Sequence, residues 1–315
     1  MSVAFIFPGQ GSQDIGMGKE LADGFAEARA VFAEVDEALG QKLSELMWTG
    51  SKDELTLTAN AQPALMAVSL AALRVMEARG IDLKASAAYV AGHSLGEYSA
   101  LAAAGSLSIG DAARLLRLRG TSMQAAVPVG VGAMAALLGL DFDVAREVAA
   151  EASAPGEVCE AANDNAPGQV VVSGHKAAVE RAVEIAKGKG GRRAVLLPVS
   201  APFHCSLMQP AADAMAEALA GVTIQAPKVP LVANVLARPI SDPAEIRTRL
   251  VQQVTGTVRW RESVEWLAGE GVSTFVEIGA GKVLSGMVKR IAKDATGLAV
   301  NVPGDVDAVL EQLKG

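Results

Sequence analysis

Ser94 has the most reactive setting in this chain. It stands in Gly92-His93-Ser94-Leu95-Gly96, after the short apolar run Tyr89-Val90-Ala91 and before the small-residue helical pattern Tyr98-Ser99-Ala100. A strand that turns sharply into a helix holds a serine hydroxyl at the turn, and the helix aims its N-terminal amides and dipole at the same point. Small residues at Gly92 and Gly96 let strand and helix close around it. Such a hydroxyl does nucleophilic chemistry: it attacks an acyl carbon and keeps it as an ester.

A serine nucleophile needs a base, and the chain offers three histidines. His93 lies inside the elbow, with its side chain expected to point away from Ser94. His175 opens a helix in the middle of the chain, where capping or exposure accounts for it. His204 lies in the Pro-containing loop Ser200–Cys205, so elimination selects His204. A hydrolase would add an acid between serine and histidine in chain order. Asp141, Asp143 and Asp164 lie in that interval, yet all fall in a middle segment away from the main strands. A backbone carbonyl is the other way to orient the imidazole, with less electrostatic support.

The elements that position these groups follow from hydrophobic period. Val3 to Phe7 reads as a buried strand closed by Pro8-Gly9-Gln10-Gly11-Ser12-Gln13, and ligands in open α/β sheets sit beyond strand carboxyl ends, so Gln10 and Gln13 are candidates to face a site. Gly16 to about Leu46 has helical spacing. Thr58 to about Glu77 is a long helix with Pro63 in its first turn, and Ser108 caps another that carries Arg114, Arg117 and Arg119. From Gly130 to Val199 the pattern becomes Val131–Leu138 strand, Asp141–Ala154 helix, Val158–Ala162 strand, Gln169–Ser173 strand, His175–Ala186 helix and Arg193–Val199 strand. That βαββαβ order is ferredoxin-like. Between its middle strands Asn163 to Gln169 reads as a turn cluster, either a hairpin connector or a lip over the site.

The chain then returns to the main layer. Ser206 to Leu219 and Pro243 to Val254 are helical, Val229 to Val235 is a buried strand, and Trp260 to Ala268 is a short helix. Thr274 to Ile278 is a strand, Gly279-Ala280-Gly281 turns into the helix Lys282–Ile291, and Leu298 to Val302 precedes a last helix ending at Leu313. The expected fold is α/β: a large hydrolase-like unit from residues 1–129 and 200–315 with a parallel sheet, carrying a small ferredoxin-like unit at 130–199.

Bulk properties narrow the class. The 315 residues are 50% hydrophobic and 20% charged, which gives a globular chain with ample core. A net charge of -7 argues against a general nucleic-acid binder. Cys159 and Cys205 are far apart without zinc or disulfide spacing, so neither a metal site nor a disulfide is expected. No signal peptide or membrane-length apolar run is visible, and a reduced cytoplasmic protein without membrane contact is the economical reading.

Seven motifs in order resemble malonyl-CoA:acyl carrier protein transacylases and the related acyltransferase domains of fatty acid and polyketide synthases: Phe7 to Gln13, Gln62-Pro63, Gly92 to Glu97, Arg119-Gly120, Asn165 to Gln169, His204, and Gly279 to Leu284. The resemblance implies a malonyl group carried on Ser94, with His204 as base and the amides of Gln10 and Leu95 as the oxyanion hole. It further implies that Arg119 pairs with the malonyl carboxylate, that Gln62, Asn165 and His93 lie in the substrate site, and that Phe203 crowds out a methyl branch. The carbonyl that orients the histidine is expected in the segment matching Gly256 to Trp260, where Gly256-Thr257 stands in place of the family's usual Asn-Pro.

The partners so implied are malonyl-CoA and an acyl carrier protein bearing phosphopantetheine; no cofactor is implied, and a monomer is expected. Docking of an acidic carrier would use Lys187, Lys189, Arg192 and Arg193, or Lys282, Lys289 and Arg290, though both sets read equally as solvated faces. A serine esterase or thioesterase on the same elbow is the competing reading.

Overall fold

The computed structural model describes residues 2–199 and 201–314; Met1, Ser200 and Gly315, which bound the expected units, lie outside the described residues. Among the described residues ten strands form two sheets. In chain order they are β1 (Ser2–Phe7), β2 (Tyr89–Gly92), β3 (Gly132–Leu138), β4 (Cys159–Ala166), β5 (Gln169–His175), β6 (Arg193–Leu196), β7 (Leu231–Ala233), β8 (Arg238–Ile240), β9 (Val272–Ile278) and β10 (Thr296–Val300).

The first sheet has the order β10-β9-β1-β2-β7-β8. All its pairs are parallel except the β7–β8 hairpin. Strand β1 is apolar throughout because both faces are covered. Val3, Phe5 and Phe7 join one buried cluster and Ala4 and Ile6 the other, as the two-residue period of a strand dictates. The helix Thr58–Ala78 is buried nearly all round, so it forms the middle of the larger cluster rather than a surface face.

The second sheet has the order β4-β5-β3-β6 and is antiparallel throughout. The helices Phe142–Ala152 and Lys176–Gly188 pack on one face of it in a core of their own. Its other face presents Met134, Ala162 and Val171, with Phe203 packed against them. Strand β4 is tied to the main layer through Val258, which lies outside both sheets: Asp164 N–H donates to the Val258 carbonyl and Val258 N–H to the Ala162 carbonyl, each at 2.9 Å. The buried Asp164 carboxylate pairs with Arg261 at 2.8 Å.

Several boundaries differ from those expected. The stretch from Gly16 to Leu46 is three helices, Lys19–Gly24, Ala26–Leu39 and Leu43–Thr49; the second ends at Gly40 in a left-handed conformation (φ 59°). Pro63 falls inside the helix Thr58–Ala78 rather than in its first turn. The strand expected at Val229–Val235 is only Leu231–Ala233, because the chain turns back at Ala237 to add β8 at the sheet edge, an antiparallel strand that hydrophobic period alone does not reveal. The last strand of the second sheet stops at Leu196 rather than Val199.

The largest difference is at Asn163 to Ala166. These residues are strand, not turn, and the turn is Pro167-Gly168. Two register shifts in β4 re-aim its polar side chains, and groups from the main layer satisfy them, which is why so polar a run stays extended. The segment is therefore both hairpin and wall of the site.

At the elbow the two glycines are steric requirements. A Cβ on Gly92 would lie 1.9 Å from the Gly96 carbonyl oxygen, and one on Gly96 would lie 2.3 Å from that of Phe7. Gly96 opens the helix Gly96–Ala103, where alanine ordinarily stabilises. Here the opposite sign is expected: Gly96→Ala should cost about 3 kcal/mol, read as a lower urea midpoint at unchanged slope, and a midpoint at or above wild type would refute the close approach.

Candidate active site

The segments just beyond the carboxyl ends of β1 and β2 line one cleft of about 640 Å³ between the elbow and the inner face of the second sheet. Ser94 stands at the end of β2 with φ 53°, a left-handed conformation that non-glycine residues avoid. Its backbone is pinned by Asn234, which follows β7: the Asn234 side chain accepts from Ser94 N–H at 2.8 Å and donates to the Gly92 carbonyl at 2.7 Å.

His204 is buried, also at positive φ (57°), with Nε2 2.8 Å from Ser94 Oγ. Its Nδ1 lies 2.9 Å from the Gln253 carbonyl. A carbonyl only accepts, so Nδ1 carries the proton and Nε2 presents its lone pair to the serine hydroxyl. The acceptor is thus Gln253, three residues before the expected Gly256–Trp260 segment. Helix Pro243–Thr255 ends here, and the carbonyls of a last turn have no partner within the helix. Asp141, Asp143 and Asp164 are elsewhere: Asp141 stands at the start of a helix, Asp143 pairs with Arg146, and Asp164 pairs with Arg261.

Arg119 is 1% exposed. Its Nη1 donates to Gln62 Oε1 at 2.8 Å, and Nη2 to Gln253 Oε1 at 2.8 Å and Ser94 Oγ at 3.1 Å. Among the described residues no carboxylate forms an ion pair with it. Gln253 is therefore a hub that was not expected from the sequence: its backbone orients the base, Oε1 holds the arginine, and Nε2 donates to the Ser94 carbonyl at 2.9 Å and Glu97 Oε2 at 2.6 Å. No motif surrounds Gln253, so no local signal marks it. Asn234, equally unexpected, had one: it is the first residue beyond a buried strand.

The other expected residues line the same cleft. Gln10 is exposed, with Oε1 accepting from Thr58 Oγ1 at 2.7 Å, and Gln13 Oε1 braces the loop through Gly11 N–H at 2.7 Å. The backbone N–H groups of Gln10 and Leu95 have no acceptor among the described residues. His93 turns from Ser94 as expected and sits 2.8 Å from Asn165 Oδ1, so each fixes the other. Phe203 and Met134 form part of the apolar wall. His175 is remote, with Nδ1 accepting from Val158 N–H at 3.0 Å.

Residues 4–305 match the family model described as the acyl transferase domain. The chain belongs to the acyl transferase family. Among relatives of this acyl transferase, the malonyl CoA-acyl carrier protein transacylase of Bacillus subtilis is 47% identical over 312 residues, covering 99% of this chain and 97% of the relative. The crystal structure of an acyl-carrier-protein S-malonyltransferase from Bartonella henselae is 58% identical with a TM-score of 0.97 and covers 100% of both chains. A malonyl-transacylase solved in complex with a type II PKS acyl-carrier protein is 43% identical with a TM-score of 0.95, covering 99% and 100% of the two chains.

Electrostatics separates the two titrating groups of this acyl transferase. Burial, and then the Arg119 charge, push His204 down to about 3. Burial pushes the Glu97 carboxyl up to about 7 against its bonds from Gln253 and Asn234. With the imidazole pKa held well below its ordinary value, an acid limb of Ser94 acylation between pH 5 and 8 is expected from Glu97. In Glu97→Gln the rate of the CoA burst should be flat from pH 8 to 5; a limb centred near 6.5 that survives in that variant would show an ordinary, protonating histidine instead.

Proposed function

We propose that this acyl transferase moves the malonyl group of malonyl-CoA to the phosphopantetheine thiol of an acyl carrier protein through a malonyl ester on Ser94. The observation that carries this reading is the buried Arg119, 3.1 Å from the Ser94 hydroxyl and held by amide oxygens without an ion-paired carboxylate. A malonyl group esterified at Ser94 brings its own carboxylate to that guanidinium, whose planar fork meets it with two charge-assisted bonds.

In the first half-reaction His204 Nε2 takes the Ser94 proton as Oγ attacks the thioester carbonyl. The free amides of Gln10 and Leu95 receive the oxyanion, and the C–S bond breaks as His204 returns the proton to the CoA thiolate. The carrier thiol reverses these steps in the second half. Thioester, ester and thioester are close in energy, so the cycle runs both ways and needs neither metal nor cofactor. Gln62, Asn165 and His93 shape the substrate site, and Phe203 narrows it at the acyl α-carbon.

The carrier reading is supported by the relative solved with an acyl-carrier protein. Of the two basic sets, Lys282, Lys289 and Arg290 are favoured because the adjoining Val283 lines the cleft; pairing does not separate the sets, since Lys282 meets Asp305 at 3.8 Å much as Lys187 and Lys189 meet Glu184 and Glu151. We infer a cytoplasmic monomer that supplies malonyl units for fatty acid synthesis. The buried, free cysteines fit a reducing compartment, and no helix among the described residues is long and apolar enough to cross a membrane. A serine esterase would be expected to put a carboxylate behind its histidine; here a carbonyl stands there.

Ser94→Ala should form no covalent malonyl adduct by intact mass, and a surviving adduct defeats the assignment. Arg119→Ala should load malonyl more slowly by a factor on the order of a hundred while gaining relative tolerance for acetyl-CoA, since an acetyl group leaves the buried guanidinium unmatched at a cost of about 3 kcal/mol. Unchanged malonyl loading would remove Arg119 from carboxylate binding.

A further inference from the structure

Thr58 is fully buried at the start of the helix Thr58–Ala78, and its hydroxyl lies where two halves of the site meet. Oγ1 donates to Gln10 Oε1 at 2.7 Å and accepts from Gln62 Nε2 at 3.1 Å. A hydroxyl has one proton to give, and the Gln10 oxygen can only accept it, so the Gln62 amide must donate. That fixes the Gln62 amide with Oε1 towards Arg119 Nη1 at 2.8 Å. The flipped amide would set N–H against N–H at the guanidinium. Three donors thus run in one direction, from Arg119 through Gln62 and Thr58 to Gln10, and aligned hydrogen bonds polarise one another.

The far end of this chain needs support. Gln10 lies in a loop with no helix or strand, its side chain is exposed apart from this bond, and the loop is otherwise braced by Gln13 on Gly11. We infer that Thr58 is a positioning residue that couples the carboxylate clamp at Arg119 to the oxyanion amide of Gln10. The inference rests on the acyl-transfer reading above. Removing the hydroxyl leaves the Gln62 amide held only by Arg119 and, weakly, by Met123 Sδ at 3.7 Å, and lets the Gln10 loop drift. Malonyl transfer uses both ends of the chain, whereas acetyl transfer uses only the Gln10 end, so the loss falls more heavily on malonyl.

The test compares the CoA burst from malonyl-CoA and from acetyl-CoA in wild type, Thr58→Val, Thr58→Ser and Gln10→Leu. Valine keeps the shape and removes both bonds; loading with malonyl is expected to slow about tenfold, and the malonyl-to-acetyl ratio to fall several-fold. Serine keeps the hydroxyl and should stay within about twofold of wild type on both counts. Gln10→Leu breaks the chain at its exposed end, where folding is not at stake, and should slow both thioesters alike. A Thr58→Val enzyme with the wild-type ratio, a Thr58→Ser enzyme as impaired as Thr58→Val, or a Gln10→Leu enzyme of undiminished rate would each overturn the coupling. Failure of the underlying reading looks different: wild type would then form no malonyl adduct at Ser94, and both inferences fall.

Discussion

A guanidinium buried without an ion-paired carboxylate is the constraint around which the site is built. Removing Arg119 from water costs several kcal/mol unless its protons are used. Two glutamines and the nucleophile itself meet much of that requirement, since Gln62, Gln253 and Ser94 Oγ receive its Nη1 and Nη2 protons, while Nε is buried without a partner among the described residues. Amide oxygens accept from the two Nη groups but pair no carboxylate with the charge among the described residues, which is the arrangement the proposed clamp calls for. Each glutamine is oriented in turn by a neighbour, Gln62 by Thr58 and Gln253 by Glu97. The rigidity of the clamp therefore derives from three helices and from the elbow.

The same over-determination governs the reacting pair. Ser94 and His204 both have positive φ, a conformation that costs a non-glycine residue on the order of 1–2 kcal/mol. Packing holds them there: Asn234 clamps the serine backbone, and the end of helix Pro243–Thr255 offers the Gln253 carbonyl to the imidazole. Gly92 and Gly96 permit this by letting the elbow helix start against the Phe7 carbonyl, close enough to exclude a side chain.

How much of this was legible in the sequence follows from the range of each signal. The elbow, the ferredoxin-like order and the histidine that lies beside Ser94 could be read because each is local or is left by elimination among three histidines. Arg119 was readable only through resemblance, since a helical arginine beside Arg114 and Arg117 carries no mark of its burial. Gln253 was not legible as a site residue, and Glu97 only as the last residue of the elbow motif, because their roles come from contacts across more than 130 positions of chain. Asn163 to Ala166 misled for a related reason. Local propensity favours a turn there, and it is tertiary partners, Val258, Arg261 and His93, that hold those polar residues extended.

The choice of a carbonyl rather than a carboxylate behind His204 acquires a meaning in this setting. A carboxylate would raise the imidazole pKa whatever occupied the cleft. With only the Gln253 carbonyl behind it, His204 is held near 3 by burial and by the Arg119 charge. Burial is the larger cause and is constant, whereas the second is a single charge at the cleft. On the proposed clamp, an acyl group carrying its own carboxylate would offset that charge and an uncharged one would not, so the residue proposed to select the substrate is also one that acts on the histidine. A third acid behind His204 would mask that dependence, and none pairs with it among the described residues.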